Sequence, residues 1–219
     1  MILFIHGFSS HGYGGKAVAL KNYFAHKGEA YMAPSLSYVP ELAMQTLEEL
    51  ISVCGDVKLI GSSLGGYYAI YLAEKYGLKV VLVNPAVRSY ETLGRMLGRA
   101  PNFYDGSTFE WKASHLEMLK QYEIEIADQS KVMLLVQKGD ELLDYREAVE
   151  KFPDARMIME EGGSHSFEGF ERYFGEIGKF LGCGGSTGRK TAEEQTREAS
   201  LRVRDANRKI VREWDCSDE

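Results

Sequence analysis

Cysteine is scarce in this chain: three residues, Cys54, Cys183 and Cys216, lie far apart and are odd in number. Neither a disulfide framework nor a CxxC zinc site can be drawn from them, and the pattern suits a reducing compartment. Long apolar runs are absent too. No stretch approaches the ~20 residues that a membrane-spanning helix requires, so no span is expected. Positive charge is not in excess: 26 Lys and Arg stand against 32 Asp and Glu, a formal charge of -6. Nucleic acid needs a concentrated positive surface, so it is not expected as a partner. No HExxH sequence and no cluster of His and Cys occurs, so neither a metal nor another cofactor is expected. Met1-Ile2-Leu3-Phe4-Ile5 lacks a basic start and is too short an apolar stretch for a secretion signal. The fold is expected to begin at residue 1, in the cytoplasm.

What is present is an ordinary globular composition, 44% hydrophobic and 26% charged over 219 residues, enough for one domain plus an appendage. Short apolar runs at 1–5, 57–60, 80–83, 132–136 and 155–159 read as buried strands, and 31–36 can run extended despite Pro34. Helical spacing separates them over 16–26, 40–54, 65–76 and 145–152, and a last helix is expected over 167–181. Such alternation predicts an α/β fold: a three-layer sandwich, with a mainly parallel sheet of about six strands and helices on both faces. Right-handed crossovers bring the carboxyl ends of the strands to one edge, where binding chemistry is expected.

Two segments break the alternation. Residues 86–129 carry Tyr90, Phe103, Tyr104, Phe109, Trp111 and Tyr122 and are too long for a structureless loop. They are expected to form short helices capping the active edge and shaping an apolar acyl or aryl pocket; an ordinary crossover packed on the sheet is the plainer alternative. After Leu181 the chain turns glycine-rich, so 1–181 is read as the domain, 182–188 as a linker and 189–219 as a helical tail. In that tail eight basic and eight acidic residues cancel, which leaves the whole -6 on the body. Ala199, Val203, Ala206, Ile210 and Trp214 make one narrow apolar stripe. It reads equally as a docking or homo-oligomerising surface and as a marginal helix without a catalytic part.

The most informative residues are Gly61-Ser62-Ser63-Leu64-Gly65, a GxSxG sequence directly after a strand and directly before a helix. A serine in that turn is exposed on strained backbone, and the helix behind it favours negative charge developing on an attacked carbonyl. Ser63 is therefore the candidate nucleophile. A hydroxyl needs a base, and the base needs an orienting acid. Of five histidines, His165 lies in a glycine-rich loop after the last strand and is the best base. The chain order Ser, acid, His places the acid in Gln137-Lys138-Gly139-Asp140-Glu141-Leu142-Leu143-Asp144. Asp140 is the choice, Asp144 the fallback, and Glu141 is expected to point to solvent. Backbone N–H groups of Leu64 and Phe8 are the candidate oxyanion donors. His6 would then be structural, its ring fixing the first loop.

His6-Gly7-Phe8, Gly61-Ser62-Ser63-Leu64-Gly65, Asp140 and His165 together resemble the α/β-hydrolase superfamily. With Asn84-Pro85-Ala86-Val87 and Gly139-Asp140-Glu141, residues 1–181 resemble more narrowly the small bacterial YqiA-type esterases. The resemblance implies a serine carboxylesterase acting on short- to medium-chain acyl esters, with Ser63, Asp140 and His165 as triad. Acyl thioesters are the alternative substrate, and a non-catalytic binding protein on a hydrolase fold is the rival from another class.

Overall fold

The computed structural model describes residues 1–183. The stripe expected over 189–219 and most of the linker expected over 182–188 lie outside the described residues. Gly182 and Cys183 close the last helix instead of opening a linker. Gly182 takes φ 71 and the Cys183 N–H donates to the Gly178 carbonyl at 2.7 Å, a left-handed helix cap.

Strand and helix alternate from the start: β1 (Ile2–Ile5), α1 (Gly15–His26), β2 (Tyr31–Met32), α2 (Pro40–Cys54), β3 (Lys58–Ser63), α3 (Leu64–Tyr76) and β4 (Val80–Pro85). After β4 come α4 (Ser89–Leu93), β5 (Gly98–Pro101), β6 (Thr108–Trp111) and α5 (Ala113–Lys120). The chain then returns to the sheet with β7 (Val132–Gln137), α6 (Tyr145–Lys151), β8 (Arg156–Glu160) and α7 (Phe174–Leu181). Six strands form one parallel sheet in the order β2-β1-β3-β4-β7-β8. Alternate side chains of each strand feed two cores. Leu3, Ile5, Leu59, Leu82 and Leu134 pack with α2 and α3 on one face. Ile2, Phe4, Ile60, Val81 and Met133 pack with α1 and α7 on the other. These strands are buried on both faces, which is why they read as continuous apolar runs instead of alternating ones.

The strand order reverses direction between β1 and β3. The chain first steps from β1 outward to β2, then crosses back to β3 and continues the other way. Such a switch point leaves a crevice beyond the carboxyl ends of the two central strands. Those ends are His6-Gly7-Phe8 and Ser63.

Three expectations about elements need correction. Strand β2 spans two residues, not 31–36, because Pro34 has no N–H for the ladder and the chain after it is drawn to β1 instead, with the Leu36 N–H donating to His6 Nε2 at 3.0 Å. The helix expected over 167–181 begins late. Phe167 and Gly169 take φ 59 and 65, a short 3-10 turn covers Phe170–Tyr173, and α7 follows. The cap expected as short helices contains an antiparallel hairpin, β5 with β6. Its tip is turned by Asn102 and Asp105, whose side-chain oxygens accept the N–H groups of Tyr104 and Ser107, and by Gly106 at φ 73.

Part of the 86–129 segment packs on the sheet's helical layer. Trp111 is 1% exposed, donates Nε1–H to the Leu93 carbonyl at 3.1 Å and belongs with Ala100 and Leu119 to the core over α2 and α3. Burying an indole removes on the order of 150–250 Å² from water, so this packing is a substantial anchor. The hairpin tip reaches the sheet edge, where the Phe103 N–H donates to the Ser9 carbonyl at 2.9 Å. Among the described residues no helix is long and apolar enough to cross a membrane.

Candidate active site

The GxSxG turn is dictated by lack of space. A Cβ on Gly61 would lie 2.4 Å from the Gly65 carbonyl oxygen and 2.7 Å from the Ala69 Cβ. One on Gly65 would lie 2.1 Å from the Ile5 carbonyl oxygen. Only glycine lets α3 press this closely on β1 and β3. Between them Ser63 takes φ 55 and ψ -125, a backbone state that costs a non-glycine residue on the order of 1–3 kcal/mol. The strain lifts the Ser63 hydroxyl off the end of β3 and leaves it against Gly7, where a Cβ would lie 3.0 Å from the Ser63 Cβ.

Ser63, His165 and Asp140 come together in one hydrogen-bonded chain. Ser63 Oγ lies 3.0 Å from His165 Nε2, and His165 Nδ1 lies 2.9 Å from Asp140 Oδ2 and 3.0 Å from Oδ1. The tautomer that satisfies both ends carries its proton on Nδ1, donating to Asp140, and accepts the serine hydroxyl at Nε2. The Asp140 carboxylate is 2% exposed, and its Oδ1 also accepts the N–H groups of Leu142 and Leu143, both at 2.9 Å. The acid is thus fixed by its own loop before it meets the imidazole. Asp144 stands apart from this chain. It caps α6 by accepting the Arg146 N–H and pairs with the Arg146 guanidinium.

The loop that carries His165 is held by groups the sequence reading passed over. Glu141 is exposed, as expected, and from the surface its Oε2 accepts the His165 N–H at 2.9 Å. That bond holds the Glu141 carboxyl below its ordinary range. Gln137, buried at the end of β7, accepts the N–H groups of Ser164 and Glu168 at Oε1, 3.1 and 2.8 Å away. Its Nε2 donates to Glu160 Oε2 at 2.6 Å. Glu160 also accepts from Tyr173 and Arg172, and these hydrogen bonds, Tyr173 foremost, hold its carboxyl at about 2. The only signal in the sequence was polarity at the last residue of an otherwise apolar strand.

Of the two candidate oxyanion donors, Leu64 follows the serine in the chain and Phe8 follows Gly7, which lies against it. Leu64 opens α3, so its N–H has no partner within its own helix. The Phe8 N–H makes no hydrogen bond to another group among the described residues. Phe8 packs its ring edge-on against Phe109 and Trp111 at 5.6 and 4.9 Å, which ties the β1 loop to the cap. A cavity of about 80 Å³ opens beside them, lined by Phe8, Leu64, Tyr38, Tyr68, Phe109 and Ser9 among others.

The remaining histidines are otherwise engaged. His6 bridges the Gly7 carbonyl at Nδ1 and the Leu36 N–H at Nε2, and burial pushes its imidazole below its ordinary range, so it stays neutral. His115 closes the first turn of α5, and His11 lies edge-on to Tyr104. His26 bonds the Asn22 carbonyl in the last turn of α1. Among the described residues no group of three or more His, Cys, Asp or Glu side chains could hold a metal ion.

A parallel six-stranded sheet between two helical layers, with a strained serine turn between β3 and α3, is the fold of the α/β-hydrolase superfamily. Est1E from Butyrivibrio proteoclasticus, solved with ferulic acid, matches it with a TM-score of 0.65 at 14% identity, over 82% of this chain and 87% of that one. Mouse alpha/beta hydrolase domain-containing protein 10 matches at 0.65 and 20%, over 83% and 89% of the two chains. A Paleococcus ferrophilus monoacylglycerol lipase matches at 0.59 and 18%, over 82% and 93%. The chain belongs to UPF0227, described as an uncharacterised protein family, whose model matches residues 1–182. UPF0227 protein VP0969 of Vibrio parahaemolyticus is 24% identical over 189 residues, covering 82% of this chain and 98% of that protein.

Two outcomes are expected from this geometry. Gly65→Ala should destabilise the protein by about 3 kcal/mol or more, since backbone on β1 blocks the new methyl. Gly15→Ala, with nothing within 4 Å at the start of α1, should stabilise by about 0.5–1 kcal/mol. Urea unfolding followed by circular dichroism compares the two; equal effects would refute the close-approach account. The second concerns Glu160, whose folded value lies below the ordinary 4.5. Its carboxylate therefore stabilises the fold above about pH 4.5, and that contribution fades as pH falls toward 2. The urea midpoint of wild type should exceed that of Glu160→Gln near neutrality and converge with it in acid. A gap independent of pH would mean that ionised Glu160 does not anchor the loop.

Proposed function

We propose that this chain is a serine hydrolase, a carboxylesterase that cleaves short-chain acyl esters through an acyl-enzyme on Ser63. The observation that carries the reading is the unbroken contact from Ser63 Oγ to His165 to Asp140, at 3.0 and 2.9 Å, on the switch-point edge of the sheet. The four hydrolytic parts are then Ser63 as nucleophile, His165 as base, Asp140 as orienting acid, and the N–H groups of Phe8 and Leu64 as oxyanion donors. We assign this chemistry to residues 1–181, with 86–129 as the cap.

In the first half-reaction His165 Nε2 takes the Ser63 proton as Oγ bonds to the ester carbon, and the carbonyl π electrons move onto oxygen. The Phe8 and Leu64 N–H groups meet that oxyanion. The tetrahedral adduct collapses, the bond to the alcohol oxygen breaks, and His165 returns the proton to the departing alkoxide. Water repeats the sequence on the acyl-enzyme and frees the acid. Asp140 keeps the imidazole in the required tautomer and stabilises the imidazolium in both halves without taking the proton itself.

The size of the cleft supports the short end of the acyl range. A volume of about 80 Å³ holds a handful of water-sized groups, on the order of six heavy atoms. Its walls include Phe8, Tyr38, Tyr68 and Phe109, with Tyr38 and Phe109 stacked at 4.5 Å. A short aliphatic acyl group or a single ring fits such a space. A thioester offers the same carbonyl to the same parts, so ester and thioester are separated by the leaving group and not by the triad.

Labelling with a fluorophosphonate should modify wild type, and Ser63→Ala should lose both the label and turnover of p-nitrophenyl acetate. Asp140→Asn should slow turnover by on the order of 10⁴-fold. Asp144→Asn, which keeps its cap on α6, should change it little. The opposite ranking of the two aspartates would overturn the acid assignment, and an unlabelled folded wild type would favour the binding-protein alternative. Among p-nitrophenyl esters, kcat/KM should be higher for acetate and butyrate than for octanoate by about tenfold or more, about the discrimination one or two misfit methylenes provide. A preference for octanoate would remove the cavity as the acyl pocket. Matched acyl-CoA substrates decide the thioester question.

A further inference from the structure

One segment touches both the serine turn and the histidine loop. Strand β4 ends Asn84-Pro85, and its pairing with β3 slips there: Ser62 opposes Val83, but Ser63 opposes Pro85. Asn84 is the extra residue of this bulge, with φ 39 and 3% exposure. Released from the ladder, its side chain turns toward the neighbouring elements. Oδ1 accepts the Gln137 N–H at 2.9 Å, and Nδ2 donates to the carbonyls of Ser164 at 3.0 Å and His165 at 3.2 Å. The two residues that follow hold the other partner. The Ala86 N–H donates to the Ser63 carbonyl at 3.1 Å, and Pro85 lies so close to α3 that a Cβ on Gly66 would come within 2.7 Å of its own Cβ.

We propose that Asn84 is a positioning residue that locks the backbone of His165 to the turn carrying Ser63. The proposal rests on the serine-hydrolase reading and adds to it the element that sets the distance between nucleophile and base. Those two side chains stand 102 residues apart in the chain and meet across a single hydrogen bond of 3.0 Å. The Asn84-Pro85-Ala86 segment ties both of their backbones to the end of one strand.

The chemistry of the three contacts selects the residue. One acceptor must meet the Gln137 N–H while donors meet two carbonyl oxygens, on a side chain short enough to act beside its own backbone. An amide supplies both functions. A carboxylate would set its second oxygen against the Ser164 and His165 carbonyls, and aliphatic side chains would leave one buried and two partly buried polar groups unmet. Asparagine is also among the few non-glycine residues that tolerate positive φ. The amide and the left-handed backbone are thus required together, and a β-bulge beside a reactive side chain is the usual device for re-aiming one.

The test uses the full chain, with the fluorophosphonate labelling rate and p-nitrophenyl acetate kinetics as readouts. Asn84→Gly keeps the backbone conformation accessible and removes the amide; Asn84→Asp keeps the acceptor and loses the donors. Both should lower kcat and the labelling rate by up to about 10²-fold, the order expected when a reacting group is misplaced by an ångström. KM should move much less than kcat. In a His165→Ala background, neither substitution should slow residual labelling further, because the contact then positions nothing. Wild-type rates in both variants, or equal losses with and without His165, would overturn the proposal. If Asn84→Gly fails to fold, Asn84→Asp alone carries the comparison. A wild type that neither labels nor turns over would instead overturn the hydrolase reading, and the positioning role with it.

Discussion

The close approach of α3 to β1 and β3 is the constraint on which the site depends. Backbone contacts at Gly61 and Gly65 leave no room for a methyl group, so the helix starts immediately at the strand end and Ser63 must absorb the change of direction at φ 55. A looser turn would relax the serine, but it would also withdraw the helix amino terminus from the space where charge would develop. The sheet pays for this with burial. Its central strands are covered on both faces by apolar side chains, and that packing outweighs a local strain of a few kcal/mol.

A second requirement follows from where the histidine comes from. Its loop follows β8 outside any regular ladder, so its backbone groups need partners of their own. Side chains provide them: Glu141 takes the His165 N–H, the Asn84 amide takes its carbonyl, and Gln137 takes the N–H groups of Ser164 and Glu168. A partly buried polar network of this kind orders its loop when every member is satisfied. Here Gln137 is anchored in turn by Glu160, which Tyr173 and Arg172 hold ionised.

How much of this could be read from the sequence depends on the range of the interaction. Buried strands β1, β3, β4 and β7 were legible because two-sided burial writes itself as an apolar run, and α2 and α3 because their starts and ends carry local signals in Pro40, Gly55 and Gly77. The serine turn was legible because its glycines are local too. What failed was tertiary. Extended residues after Met32 pair with a histidine ring instead of a strand, and the 86–129 segment folds a hairpin whose buried side is decided by Trp111 meeting Phe8 and the core over α2. The Gln137 and Glu141 contacts were invisible for the same reason: each polar side chain finds its partner 23 or more residues away. Polarity at the end of an apolar strand says only that a partner is needed.

The competition between histidines shows how that accounting selects chemistry. His6 and His165 stand at the same edge of the sheet, both close to the serine turn. Both nitrogens of His6 are already committed to backbone groups, Gly7 on one side and Leu36 on the other, and its burial disfavours a positive charge. It can neither accept a proton from a hydroxyl nor release one without breaking a contact that shapes the loop. His165 meets a carboxylate at Nδ1 and offers Nε2 to a side chain that can move its proton. A ring between a carboxylate and a hydroxyl is suited to take a charge during a reaction, whereas a ring between a carbonyl and an amide is suited to hold a loop. The residue type is the same; the difference lies in what each ring nitrogen faces and in how deeply each ring is buried.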